Sequence, residues 1–168
     1  KDQTGYANQP SQYTAKTVSA GLIANGAQFD GTQRIDVPDT ASLTVKPDAG
    51  WTLSLWVKPD GAQKDAYLFQ RHDSARDLVL GMDGTSAYVT YRGDGKPVKS
   101  PPVALTPAAW HLLAVTLGQG AVNFYVDGRR AASVPAVLTD RGGDTAIGDA
   151  VNGGHVFRGL LDEVEIAN

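Results

Sequence analysis

Apolar and polar positions alternate along much of this chain. Residues 51–58 (WTLSLWVK) put Trp51, Leu53, Leu55 and Val57 on one face and Thr52, Ser54, Trp56 and Lys58 on the other. A two-residue period is that of a strand with one buried side. Shorter runs of this kind recur between turn signals. Ala27, Phe29, Ile35 and Val37 flank the turn pair Asp30-Gly31. Residues 66–70 read as a short apolar strand, and 110–117 as a longer one. Residues 77–82 and 86–91 predict a hairpin over Asp83-Gly84. Residues 121–126 and 129–134 predict another, turning at Asp127-Gly128. Residues 145–148 and a closing strand over 159–166 complete the set. No window sustains the i, i+3, i+4, i+7 spacing of a helix. Residues 1–19 are polar and weakly patterned and predict an irregular arm, which leaves 20–168 as the folded unit. About a dozen strands with little helix make an all-β sandwich or barrel. The lack of a fixed repeat of about 20–50 residues argues against a propeller or solenoid.

Composition narrows this picture. A chain of 168 residues fits one domain and can bury a core without obligatory staples. Cysteine is absent, which removes disulfides, thiolate metal sites and cysteine nucleophiles. No apolar run reaches membrane-spanning length, and no signal peptide is visible. The chain starts at Lys1 and its only methionine is Met82, so it reads as a piece of a longer polypeptide. A net charge of −3, scattered along the chain, argues against a nucleic-acid partner. Sixteen of the eighteen acids are aspartate, and with 19 glycines and 9 prolines they mark a chain rich in turns.

The closing strand carries the sharpest anomaly. On a regular strand Leu160, Asp162, Val164 and Ile166 share a face, while Leu161, Glu163 and Glu165 take the other. A carboxylate among apolar neighbours is costly unless a cation, a metal or several donors meet it. Glu163 and Glu165, the only glutamates, would stand about 7 Å apart on the outer face. Paired carboxylates can hydrolyse glycosides, but a solvated strand face is the simpler reading. The three histidines, His72, His111 and His155, lack metal-site spacing. His72-Asp73-Ser74 are adjacent on a turn and cannot orient one another as a triad. Gly142-Gly143 and Gly153-Gly154 are turns without the lysine and helix of a phosphate loop.

A saccharide site needs an aromatic platform beside planar polar groups, because a pyranose has apolar faces and a belt of hydroxyls. The aromatic candidates are Trp56, Tyr88, Tyr91 and Tyr125. The polar ones are Asn123, Arg92, His155 and Asp149, the last opening a loop at 149–152. Trp56, Asn123 and Tyr125 lie opposite the apolar faces of their strands. The competing expectation is that Trp56 and Tyr125 pack beneath loops, since bare tryptophan is uncommon.

Several segments together resemble the laminin-G-like, concanavalin-A-like jelly-roll family. In order they are Gln28-Phe29-Asp30-Gly31, the run 51–59 (WTLSLWVKP), the run 110–116 (WHLLAVT), Tyr125-Val126-Asp127-Gly128, Phe157-Arg158-Gly159 and Leu161-Asp162-Glu163-Val164. Leu112 stands where the family often has a second histidine. The wording of 20–29 and 78–83 also resembles domains of long bacterial envelope proteins that stand beside channel segments of the MotA/TolQ/ExbB kind. The resemblance implies two antiparallel sheets, one concave. It implies a structural calcium (Ca2+) at Asp162, with Asp30 or the carbonyl of Gly31 nearby. The alternative for Asp162 is to cap backbone N–H groups or to pair with an arginine such as Arg158. Jelly-roll glycosidases carry a Glu-x-Asp-x-x-Glu strand, which this chain lacks. The expectation is thus a non-catalytic, monomeric module, periplasmic or extracellular, that binds a glycan. The alternative is a protein-interaction or spacer domain, with Trp56, Tyr125 and the arm filling the concave face.

Overall fold

A computed structural model describes residues 6–46, 48, 50–140 and 142–167. The alternating runs become fifteen strands among these residues. They are β1 (Gln12–Tyr13), β2 (Lys16–Val18), β3 (Gly26–Asp30), β4 (Ile35–Val37), β5 (Trp51–Pro59), β6 (Gln63–His72), β7 (Asp77–Gly84) and β8 (Ser86–Arg92). After them come β9 (Val98–Lys99), β10 (Val103–Ala104), β11 (His111–Gly118), β12 (Ala121–Val126), β13 (Arg129–Pro135), β14 (Asp144–Ile147) and β15 (Arg158–Ala167). The helical content of the described residues is a single 3-10 turn, Ala41–Leu43, and no helix there is long and apolar enough to cross a membrane.

Two antiparallel sheets pack face to face as a jelly-roll sandwich. The seven-stranded sheet runs β13-β12-β11-β5-β15-β3-β2. The eight-stranded sheet runs β1-β4-β14-β6-β7-β8-β10, with β9 also paired to β8. Strand β5 shows why. Trp51, Leu53, Leu55 and Val57 are wholly buried, and the residues between them stay half-exposed. Leu113, Val115 and Leu117 of β11 lie beside them on the core side. Leu68, Phe69, Leu78 and Leu80 meet them from the opposite sheet. Trp51 and Phe69 bridge the layers with ring centroids 6.5 Å apart. Each such side chain contributes about 1.5–3 kcal/mol by leaving water.

One charged group shares this interior. Arg71 of β6 is wholly buried, and it donates to Thr145 Oγ1 at 2.9 Å and to Asp39 Oδ1 at 2.7 Å. Burial lowers its pKa, opposed by the charge of Asp39. The pair ties β6 and β14 to the chain after β4.

The arm is not irregular throughout. Strand β1 pairs with β4 and β2 with β3, so residues 12–18 add an edge to each sheet. Edge strands that bury neither face carry no alternating signal, which explains the expectation. Residues 1–5 of the arm, and Arg141 in the loop before β14, lie outside the described residues. Strand β6 is longer than its apolar centre, because Gln63 and His72 extend it on polar side chains.

The closing strand corrects the reading of Asp162. Leu161, not Leu160, is the core residue, at 1% exposure and opposite Val57. Asp162 pairs with Trp56 and Glu165 with Ser54, so the register slips between them. This is a β-bulge, with Glu163 in the left-handed region at φ 46°. Asp162 therefore shares the outer face with Trp56, and Ile166, opposite Leu53, returns to the core side. The bulge also breaks the regular outer pairing expected of Glu163 and Glu165. Asp162 is nonetheless only 8% exposed. The turn at 21–25 covers it: a Cβ on Gly21 would come within 2.9 Å of Asp162 Oδ2. Ile23 N–H donates to that oxygen at 3.0 Å, and Glu163 N–H donates to Oδ1 at 2.9 Å.

Asp162→Ala would strip two backbone donors of their acceptor, and a buried unsatisfied donor costs about 1–3 kcal/mol. Urea unfolding is expected to show a loss in that range, with a smaller one for Asp162→Asn. A loss under about 0.5 kcal/mol, the size of an ordinary surface substitution, would refute this role.

Candidate functional site

Strand parity and register define the outer face of the seven-stranded sheet. Trp56 stands between Leu112 of β11 and Asp162 of β15. In the next outward row Ser54 neighbours Ala114, and Ala114 neighbours Tyr125 of β12. In the row after that Thr52, Thr116 and Asn123 lie side by side. Every one of these except buried Asp162 is half-exposed. From Trp56 to Thr52 the strip is roughly 13 Å long. It begins beside Asp162, which the 21–25 turn covers, and ends at an open cavity of about 910 Å³ where Thr52, Thr116 and Asn123 meet Trp51, Leu117 and residues 136–138 at the end of the sandwich. Asn123 donates to Thr116 Oγ1 at 3.3 Å, using one of its two amide hydrogens. Strand β2 lies three strands from β5, at the sheet edge, so residues 16–18 extend the sheet and do not cross this face.

The other anticipated ligand residues are elsewhere. Tyr91 is a core residue at 1% exposure, and its hydroxyl accepts Thr139 N–H at 3.1 Å. It shares the parity of buried Val89, which removes it from any surface platform. Asp149 is buried, and its Oδ1 accepts the N–H groups of Ala150 and His155, both at 2.7 Å, so it shapes its own loop. His155 lies on the eight-stranded sheet, stacked on Tyr67 with centroids 4.0 Å apart and planes at 15°. Its Nδ1 is 2.8 Å from the Asp65 carbonyl oxygen and 3.1 Å from Asp65 Oδ2. Tyr88 donates its hydroxyl to Asp65 Oδ1 at 2.7 Å, and Lys99 Nζ sits 3.9 Å over the Tyr88 ring. Tyr67, Asp65 and Lys99 carry no signal of this cluster in the sequence. Tyr67 sits in an apolar run that bulges twice, so its outward side cannot be counted from the sequence.

The three metal candidates do not converge. Asp30 faces Arg158 in the β3–β15 register, while Asp162 lies four residues further along β15, roughly 13 Å away. Thr32 donates to Asp30 Oδ1 at 2.8 Å, and Lys16 Nζ is 3.7 Å from Oδ2. The side chains of Gln33 and Thr32 hold the Asp30 carboxyl below the usual aspartate range. Gly31, at φ 94°, has the Arg158 side chain packed against it. Among the described residues no three His, Cys, Asp or Glu side chains are grouped to hold a metal ion. His72-Asp73-Ser74 is the turn expected of it, with Asp73 Oδ1 accepting the N–H groups of Ala75 and Arg76.

Burial, the hydrogen bond to Asp65 and the Asp65 charge together push the Tyr88 phenol well above its ordinary pKa. Unfolded tyrosine ionises near pH 10, and the folded phenol stays neutral there. Its contribution is complete below that pH and is lost as pH rises. Between roughly pH 9 and 11 the melting temperature is expected to fall more steeply in the native domain than in Tyr88→Phe. Equal slopes would contradict this.

The fold has many known counterparts. A family model described as the concanavalin A-like lectin/glucanases superfamily matches residues 29–168. No curated protein matches the chain. Domain 4 of AbnA, a GH43 extracellular arabinanase from Geobacillus stearothermophilus solved with arabinotriose, is similar at 24% identity and TM-score 0.74. That match covers 92% of this chain and 75% of the arabinanase chain. The binding domain of botulinum neurotoxin serotype G aligns at TM-score 0.77 and 11% identity, over 99% of this chain and 44% of the other. Domains LG4-5 of the mouse laminin α1 chain align at TM-score 0.69 and 15% identity, over 92% and 44%. The chain thus spans less than half the length of the toxin and laminin structures. At such identities these likenesses speak for the fold alone. With the family model matching all but the arm and the first strands, the chain belongs to the concanavalin A-like lectin/glucanase superfamily.

Proposed function

We propose that this domain is a non-catalytic recognition module of a secreted or envelope protein. It holds a neutral saccharide on the strip from Trp56 to the Asn123 cavity. The observation that carries this reading is the sequence of rows on one face. An indole and a phenol supply apolar surface, small Ser54 and Ala114 leave room, and Thr52, Thr116 and Asn123 supply hydroxyl and amide groups. That order matches the faces and edge of a sugar ring. The arabinanase domain solved with arabinotriose supports the ligand class, and its extracellular setting supports the location.

Hydrolysis finds no support in the carboxylates. Glycosidases set two of them about 5–9.5 Å apart across the bond that breaks. Here Asp162 and Glu165 flank Trp56 and Ser54 on the same outer face, but Asp162 is buried and already engaged by two backbone donors, which leaves Glu165 as the one exposed carboxylate of that pair. A structural calcium enters this reading only at Asp162, where the ion would compete with Ile23 N–H.

Calorimetry with arabinotriose, xylotriose and cellotriose tests the strip. Trp56→Ala is expected to weaken binding at least tenfold, equivalent to about 1.4 kcal/mol, and Asn123→Ala by several-fold. Failure of all three sugars to bind the native domain would favour the spacer reading. Chelator-treated protein is expected to melt at the same temperature as protein in excess calcium. A rise with calcium would instead reveal an ion at Asp162, because a ligand of the native state stabilises it.

A further inference from the structure

The cluster on the opposite sheet is not used by the strip. It joins Asp65 and Tyr67 of β6, Tyr88 of β8, Lys99 of β9 and His155 of the loop before β15. Several features show that it is built and not incidental. Asp65 stands at a register shift with φ 44°, a left-handed backbone that aspartate tolerates better than most residues. In that conformation its carboxylate takes the Tyr88 hydroxyl on one oxygen and approaches His155 with the other. Tyr67, Gly81 and Tyr88 form one row. Gly81 lets the phenol of Tyr88 lie across it, since a Cβ there would come 2.8 Å from Cζ and from the hydroxyl. Asp149 fixes the His155 backbone, and His155 carbonyl accepts Tyr67 N–H at 2.8 Å.

This framework sets the chemistry presented outward. Both groups beside His155 Nδ1 are acceptors, the Asp65 carbonyl and carboxylate. In the neutral ring Nδ1 therefore carries the proton, and Nε2 is left as an acceptor. The Asp65 carboxylate keeps lone pairs beyond the two it uses. Lys99 is exposed and supplies an ammonium donor, and it is the cover of the Tyr88 ring. The half-exposed Tyr67–His155 stack supplies apolar surface. An anionic ligand would meet Asp65, and a cationic one would meet Lys99. A neutral ligand whose hydroxyls both donate and accept satisfies both. In the next row Gln70 of β6 and Val79 of β7 are buried, and Gln70 accepts Val151 N–H at 2.7 Å, so the loop before β15 bounds the open surface on that side.

We propose that the outer face of the eight-stranded sheet carries a second saccharide subsite, centred on Tyr67, His155, Asp65 and Lys99. One copy of the domain then holds two sugar chains, one on each sheet. The subsite takes its ligand class from its own groups and adds to the strip reading without depending on it.

The test is a titration of the isotope-labelled domain with arabinotriose and with cellotriose, followed by amide resonances. Trp56→Ala is included to silence the strip. The amides of Asp65, Tyr67 and His155 are expected to shift saturably in the native domain and equally in Trp56→Ala. Affinity read at those amides should fall at least tenfold in His155→Ala and several-fold in Lys99→Ala, an exposed change that leaves the fold intact. Unchanged affinity in both variants would overturn the subsite. Response at Thr52 and Asn123 alone would overturn it while the strip stands. Response at 65, 67 and 155 alone would uphold it and remove the strip. Silence of both sets towards both sugars would remove both.

Discussion

Everything on the surface of this domain follows from a two-residue rule enforced inside it. Trp51, Leu53, Leu55 and Val57 can leave water only by facing the other sheet. That fixes the parity of β5, and hydrogen-bond register passes the parity to β11 and then β12. A slip of one residue would exchange the faces and bury Lys58 in place of Val57. The outer order of Trp56, Ser54 and Thr52 is thus a by-product of the core. Tyr125 and Asn123 hold their places because Phe124 and Val122, between and beside them, are buried.

Strand β15 is where the rule is broken locally. Its bulge sets two residues against one, so Asp162 falls beside Trp56 instead of among core leucines. The carboxylate is tolerated because two backbone N–H groups reach it and the 21–25 turn keeps most water away. Arg71 solves the same problem inside the sandwich, where Thr145 and Asp39 meet its guanidinium. In both places a charged side chain fastens a connecting segment to a sheet, which apolar contact alone would leave free to slide.

What could be read from the sequence divides along the same line. Strand β5 and the hairpins β7–β8 and β12–β13 were legible, because alternation and glycine turns are local signals, although Asp83 pairs with Ser86 and so the first turn falls at Gly84-Thr85, one residue later than Asp83-Gly84. Placing Trp56, Tyr125 and Asn123 on one face needed only parity, and parity holds across those strands. The side of Asp162 was illegible because a bulge changes the count without changing the composition. Tyr91 was misassigned as a surface group although its parity with Val89 already pointed inward. The stack of Tyr67 and His155 joins residues 88 positions apart through bulges in β6 and a loop, and no local pattern encodes such a meeting. The edge strands β1 and β2 were missed because edges need no buried face.

Those two edge strands give the sandwich an unequal response to mechanical load. Strands β1 and β2, of two and three residues, are each held along one side only. Tension on the N-terminal side would meet them first and peel them away one pair at a time. The ten-residue β15 is held on both sides, between β5 and β3, and its side chains are partly keyed into the core. Tension from that end must shear two ladders together. Within a longer chain under strain, the domain would yield a short length of N-terminal slack early and keep its sheets, and the faces they carry, intact.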